Sequence, residues 1–372
     1  MTTFFGLKTE SDKIRNLDFL RLVASVAIVF LHSHEFFYLN PALRQQAITD
    51  ADGLALFVDL FFAISGFVMA FVYEGRIGAP RDYAGFMWRR IARLYPLHLV
   101  VLALNMVLWA VLLTRGASTT APSFSPSCVA YNALLVQEYF DCGSTNEFNG
   151  VTWSISVEMG MYAILPILIL IASRGLGWLL LASTLAIVAG TLLIAPGGEW
   201  LDTPHLARGL AGFTFGYLLF KAQHLIPDIP RSGAIVVVLA AVALTEMVFG
   251  APQIVSLLTL VGLVIVAVSA DRHERIHPIA LRLSPLGQLT YSSYIWHRLF
   301  ILAFLNVAAD KLFHGNIPIL VAMAVVTYMA IFVASYLGYF MIEVPARRAL
   351  TNRIRKSPKG APPPAPNADF AP

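Results

Sequence analysis

Arg15–Glu35 reads R-N-L-D-F-L-R-L-V-A-S-V-A-I-V-F-L-H-S-H-E. The stretch is long and apolar enough to cross a bilayer, yet it carries Asp18, Arg21, His32, His34 and Glu35. A helix turns about 100° per residue, so Arg21 and His32 lie within roughly 20° of one line and about 16 Å apart along the axis. Asp18, Ser25 and Glu35 fall near that stripe, and His34 points roughly the other way. Ionisable groups cost several kcal/mol at membrane depth and normally turn toward a bundle interior or a wet cavity. Taken singly, Arg21 reads equally well as an inner-face anchor that snorkels, and His32 as a hydrogen-bonded core histidine. Two such residues on one stripe favour a buried polar site.

The rest of the chain extends this pattern. Its 372 residues are 58% hydrophobic and only 13% charged, with a mean hydropathy of +0.70. That balance is far more apolar than a soluble domain's. Apolar runs recur throughout, which implies one polytopic membrane domain over 1–350 and a Pro-rich, disordered cytoplasmic tail over 351–372. The first residues lack an apolar signal core with a small-residue cleavage site, so no cleaved signal peptide is expected and the first span inserts the chain itself. The net charge of +4 is what cytoplasmic loops of a membrane protein produce, so a nucleic-acid partner is set aside. No Cys/His spacing of the zinc type is present, and no metal site is expected.

Ten spans are expected, at about 17–39, 54–73, 95–114, 151–172, 176–195, 206–221, 233–250, 252–270, 285–308 and 317–342. None alternates as a barrel strand would, so the fold class is an all-α polytopic membrane helical bundle of about ten transmembrane helices. With the N-terminus inside, 20 of the 26 Lys and Arg fall in inner regions and four (Arg44, Arg115, Arg208 and Lys311) in outer ones. This bias places both termini in the cytoplasm. Between spans two and three, R-D-Y-A-G-F-M-W-R-R-I-A-R-L-Y-P-L reads as an interfacial helix with Phe86, Met87, Ile91 and Leu94 on its apolar face. The longest outer loop, about 115–150, holds the only two cysteines, Cys128 and Cys142, a candidate disulfide in an oxidising compartment.

Four spans bring an ionisable group to a similar depth: His32, Asp59 in F-V-D-L-F-F-A-I-S-G-F, Glu158 in W-S-I-S-V-E, and His297 in Y-S-S-Y-I-W-H-R. Each also has a structural reading, as a helix-bridging hydrogen bond or a satisfied core group. Ser65-Gly66 reads more readily as small-residue packing than as catalysis, and Tyr291 and Tyr294 as packing groups. Arg89, Arg90 and Arg93 suit anionic lipid at the inner surface, or the phosphates of a cytoplasmic donor.

Taken in order, L-D-F-L-R followed ten residues later by His32, V-D-L-F-F-A-I-S-G-F, R-R-I-A-R-L-Y-P, W-S-I-S-V-E, S-Y-I-W-H and Y-F-M-I-E-V-P-A-R resemble the acyltransferase-3 family of membrane O-acyltransferases. The resemblance covers nearly the whole chain. It implies transfer of an acyl group, commonly acetyl from acetyl-coenzyme A, to a glycan or glycolipid (lipopolysaccharide, exopolysaccharide and related acceptors) or to a small molecule. It also implies a bacterial inner-membrane location, an essential Arg21–His32 pair, and acyl-coenzyme A handling by Arg89, Arg90 and Arg93. Glu158 matches the glutamate of the W-S-x-S-x-E motif, and His297, Glu343 and Arg347 match recurrent positions. One departure is that Met159 stands where the family often has a second glutamate.

The chemistry implied needs a base for a hydroxyl, and His32 is the best candidate because imidazole titrates near neutral pH. Glu158 or Asp59 is expected beside it to fix its tautomer, with Arg21 on the donor side; Ser65, Tyr294, His297 and Glu343 are supporting candidates. The rival class is a proton-coupled secondary transporter, which also carries mid-membrane charges. Against it, no pair of similar halves or matched interrupted helices is visible. A receptor or purely structural bundle would leave the buried charges without purpose.

Overall fold

The computed structural model describes residues 3–4, 7–8, 14–37, 51–116, 122–143, 147–312 and 316–355. Helices are α1 (Arg15–Leu31), α2 (Phe57–Tyr73), α3 (Pro80–Thr114), α4 (Pro126–Ala133), α5 (Thr152–Ser173), α6 (Leu176–Leu192), α7 (His205–Ala222), α8 (Ser232–Val248), α9 (Gln253–Arg272), α10 (Pro278–Leu283), α11 (Thr290–Phe300), α12 (Ile317–Gly338) and α13 (Val344–Arg355). π-helical turns at Ile301–Leu312 continue α11, and others at Tyr339–Glu343 join α12 to α13. The described β-structure is a ladder pairing Thr3–Phe4 with Leu7–Lys8.

Five helical stretches among the described residues are long and apolar enough to cross a membrane: Asp52–Tyr73, Pro80–Thr114, Thr152–Ser173, Gln253–Arg272 and Ile317–Asn352. The other expected spans also fall on helices, but these are shorter, as in α6 and α8, or carry charge, as in α1 and α7. The outer faces of long and short helices alike are apolar: Trp178, Leu192, Val238, Leu258, Val325 and Met329 are all more than half exposed. An apolar exterior around a core that holds Asp, Arg and His is the arrangement lipid solvation demands. The chain is a multi-pass membrane protein.

Two expectations are corrected. The 81–97 stretch is not a separate interfacial helix; it runs straight into the third span as one 35-residue helix through Pro96. Proline removes one helical N–H, a loss that helices inside a membrane protein tolerate when neighbouring groups adjust around it. The tail also begins later than 351, because α13 continues to Arg355. The rest of the Pro-rich tail lies outside the described residues.

The innermost pair is α2 and α7. A Cβ on Gly66 would sit 2.0 Å from the Phe213 carbonyl oxygen, and one on Gly216 would sit 1.8 Å from that of Ala63. Only glycine lets the two backbones approach this closely. Against α2 lies α1, whose N-terminus is capped from α9. Asp271 Oδ1 accepts from Asn16 N–H and Asn16 Nδ2, each at 2.8 Å, and its Oδ2 accepts from Leu17 N–H at 3.2 Å. A carboxylate there satisfies orphan amides and complements the helix dipole.

Candidate active site

The stripe on α1 faces α11. Ser25 Oγ donates to the Thr290 carbonyl at 3.5 Å, and seven residues further along both helices His32 Nδ1 lies 3.2 Å from His297 Nε2. Equal steps of two turns mean that the two helices run parallel in register. At its start the stripe holds Arg21 beside Asp18, at 3.7 Å. His32 Nδ1 is also 2.9 Å from the Ile28 carbonyl, and His297 Nδ1 is 3.3 Å from that of Ser293. His297 is fully buried, whereas His32 is partly open.

Arg21 lines a cavity of about 90 Å³ with Ser65, Arg93, Glu158, Tyr291 and Tyr294. Glu158 Oε1 accepts from Ser65 Oγ at 2.6 Å and from Tyr162 O–H at 2.5 Å. Tyr291 donates to the Leu94 carbonyl, and Tyr294 is hydrogen-bonded to Ser154 Oγ at 2.7 Å. The Tyr294 ring stands 5.7 Å from that of His297, so this tyrosine separates the cavity from the histidine pair. Ser65 and Gly66 divide their roles: the glycine packs helices and the serine faces the cavity.

The carboxylates are not where sequence reasoning placed them. Glu158 is held by Ser65 and Tyr162. Asp59 accepts from Arg208 Nη2 at 2.6 Å, Arg208 Nε at 3.3 Å and Trp200 Nε1 at 2.9 Å. Neither touches His32, whose partners are Ile28 and His297. The arginine cluster is also more internal than an amphipathic surface would have it. Arg90 is 3% exposed, its guanidinium 5.3 Å from the centres of both the Tyr73 and Tyr162 rings, and its Nη2 donates to Tyr73 O–H at 3.3 Å. Arg93 is buried and reaches the cavity, while Arg89 stays partly open and donates to Tyr73 O–H at 3.4 Å. Glu343 is buried at the end of the π-helical turns.

Sequence reasoning missed Arg208, which it counted as an outer-loop charge. It sits within α7, buried, with its guanidinium 5.5 Å from the Trp153 ring centre. On the other side His205 stacks on Trp153 at 3.9 Å and pairs with Glu138 at 2.9 Å. Trp153 therefore packs against both Arg208 and His205 rather than acting as a lone interface anchor. Near it, burial and the neighbouring Glu138 push the Glu147 carboxyl up to about 8. A signal for Arg208 was present: H-L-A-R-G-L-A-G-F is apolar on both sides of the charge. Cys128, in α4, is joined to Cys142 in a disulfide. Among the described residues no group of three His, Cys, Asp or Glu is placed to hold a metal.

The family model described as an acyltransferase domain matches residues 14–341, and the chain belongs to that acyltransferase family. Protein 2 of the picA locus of Rhizobium radiobacter is 30% identical over 39% of this chain and 74% of its own length. BcsY of Komagataeibacter xylinus, which carries the name of a membrane-bound transacylase, is 27% identical over 64% of each chain. Nodulation protein 10 of Rhizobium leguminosarum bv. viciae is 26% identical over 51% of each. The chain thus spans between half and two thirds of the latter two. No solved structure matches it significantly.

Proposed function

We propose that this protein is an integral-membrane O-acyltransferase of the bacterial inner membrane, crossing it about ten times with both termini inside. It moves an acyl group, acetyl in the first instance, from cytoplasmic acyl-coenzyme A to a hydroxyl of an extracytoplasmic glycan or glycolipid of the lipopolysaccharide or exopolysaccharide type. The observation that carries the reading is the placement on α1 of both a partly open imidazole, His32, and a cavity arginine, Arg21, in a chain of the acyltransferase family. The cavity supports part of the donor's pantetheine arm as its occupant, with the acyl-thioester end passing Tyr294 to reach His32. Water needs about 15 Å³ of such space, so about 90 Å³ takes roughly six waters' worth of ligand and leaves the nucleotide end outside. The disulfide after α3 supports an outward, oxidising side for that loop.

In this reading His32 takes the proton of the acceptor hydroxyl as its oxygen attacks the thioester carbonyl. Arg21 and Arg93 line the cavity on the other side of Tyr294 and set positive charge along the donor's path to His32, where low-dielectric surroundings strengthen their effect. The carbon–sulfur bond then breaks, and the imidazolium of His32 returns its proton to the departing thiolate. Arg90, pinned among Tyr73, Phe86 and Tyr162, holds the floor beneath Glu158 in place.

Purified protein in lipid, given acetyl-coenzyme A and the host's surface glycan, should release thiol and form glycan O-acetyl ester. His32→Ala should lose at least about 10²-fold of that rate, the scale of a positioned base, while keeping its size-exclusion profile. Acyl transfer undiminished in His32→Ala would remove the base assignment. Absence of both thiol release and any change in O-acetylation in a deletion strain would remove the activity itself.

A further inference from the structure

The pairing of His32 with His297 has a chemical consequence that the base assignment alone does not contain. His297 Nδ1 lies against the Ser293 carbonyl, which can only accept, so that nitrogen carries the proton. In a neutral ring this leaves His297 Nε2 as an acceptor. His32 Nδ1 in turn lies 2.9 Å from the Ile28 carbonyl and 3.2 Å from His297 Nε2. Both neighbours are acceptors, so His32 Nδ1 carries the proton and shares it between them. The lone pair of His32 is then on Nε2, which makes no hydrogen bond among the described residues.

From this geometry we infer that His297 is the positioning residue of the site, holding His32 in its Nδ1–H tautomer with Nε2 open to a hydroxyl. This rests on His32 acting as the base. The Ile28 carbonyl belongs to the preceding turn of α1 and moves with His32. His297 comes from α11, and so ties the ring to the bundle and selects one of its two flip orientations. Its role corresponds to that of the carboxylate in a Ser–His–Asp triad, with a neutral acceptor in the carboxylate's place. As His32 Nε2 takes a proton, Nδ1–H becomes a stronger donor and His297 Nε2 remains there to accept it. Behind His297 stands a backbone carbonyl that cannot take the proton onward, so the charge stays on the pair and returns through Nε2. The 5.0 Å separation of the ring centres, tilted by 44°, makes the contact edge-directed rather than a stack.

The test has two arms, both on the full-length protein in detergent or lipid. In the first, ¹⁵N-labelled histidine is assigned by comparison with His32→Ala, and the ring signals of His32 are read at neutral pH. The expected result is one tautomer with Nε2 unprotonated in the native protein, and shifted, exchange-broadened ring signals in His297→Leu as the ring loses its fixed orientation. An Nε2–H tautomer in the native protein, or an unchanged signal in His297→Leu, would overturn the inference even if acyl transfer is confirmed. The second arm compares rates. Gln presents an amide oxygen that can accept from His32 Nδ1, so His297→Gln should stay within about tenfold of the native kcat, whereas His297→Leu should fall about 10²-fold with little change in KM. Equal losses in both variants, with equal folded yield, would reduce His297 to packing. Native tautomer behaviour as expected with no acyl transfer at all would instead remove the enzymatic reading and leave the histidine pair as described.

Discussion

Removing Arg208 while leaving Asp59 in place should be among the most damaging single changes in this protein. Arg208 is 3% exposed and Asp59 8%, and the guanidinium gives the carboxylate two N–H donors, at 2.6 and 3.3 Å. In Arg208→Met, Asp59 keeps only the Trp200 indole N–H. Two lost charge-assisted hydrogen bonds at about 1.5–3 kcal/mol each give about 3–6 kcal/mol, which agrees with the roughly 3–5 kcal/mol found when one partner of a buried pair is deleted. Replacing both partners, as in Asp59→Leu with Arg208→Met, removes the stranded charge and should return stability to near the native level. The assay is a double-mutant cycle on thermal or denaturant unfolding in detergent micelles. If Arg208→Met unfolds within about 1 kcal/mol of the native protein, or if the double variant is no better than the single, the pair does not act as a buried, mutually dependent unit.

Four further outcomes follow from the same geometry. Gly216→Ala puts a Cβ 1.8 Å from the Ala63 carbonyl oxygen and should cost at least about 1–3 kcal/mol as overpacking. Gly262→Ala, whose Cβ meets nothing within 4 Å, should be neutral or slightly stabilising in the same melt. Glu147, with its carboxyl raised to about 8, holds a proton when folded that it releases when unfolded above its ordinary value. Its contribution to stability is therefore full at acid pH and declines as pH rises to about 8. The melting temperature should fall over that window, and Glu147→Gln should flatten the fall. Replacing Cys128 and Cys142 by alanine opens a 14-residue link and should lower stability by about 3 kcal/mol, whereas the native protein's unreduced mass should sit two hydrogens below its reduced mass.

The helical period alone located the polar stripe on α1. Arg21, Ser25 and His32 were legible on one face of Arg15–Glu35, and the structure sets Ser25 against Thr290 and His32 against His297. The long apolar runs likewise announced most of the helices. What could not be read were partners far apart in the chain. Arg208 looked like a loop charge because the carboxylate that neutralises it lies 149 residues earlier. Glu158 and Asp59 were each offered to His32 on depth alone, and depth does not determine azimuth in a bundle of unknown packing order. The interfacial reading of 81–97 treated Arg90 as solvated, since no local pattern shows that Tyr73, Phe86 and Tyr162 would close over it.

The bond from Asp271 to the first turn of α1 carries an implication for biogenesis. The residue that settles the leading end of the helix bearing Arg21 and His32 is made 255 positions after Asn16. At about 5–20 residues per second the ribosome needs roughly 13 to 51 seconds to supply it. During that interval the segment has been inserted without its lock, and a chain truncated before position 271 would never acquire it. The helix that bears Arg21 and His32 is thereby anchored only after 255 further residues have been delivered.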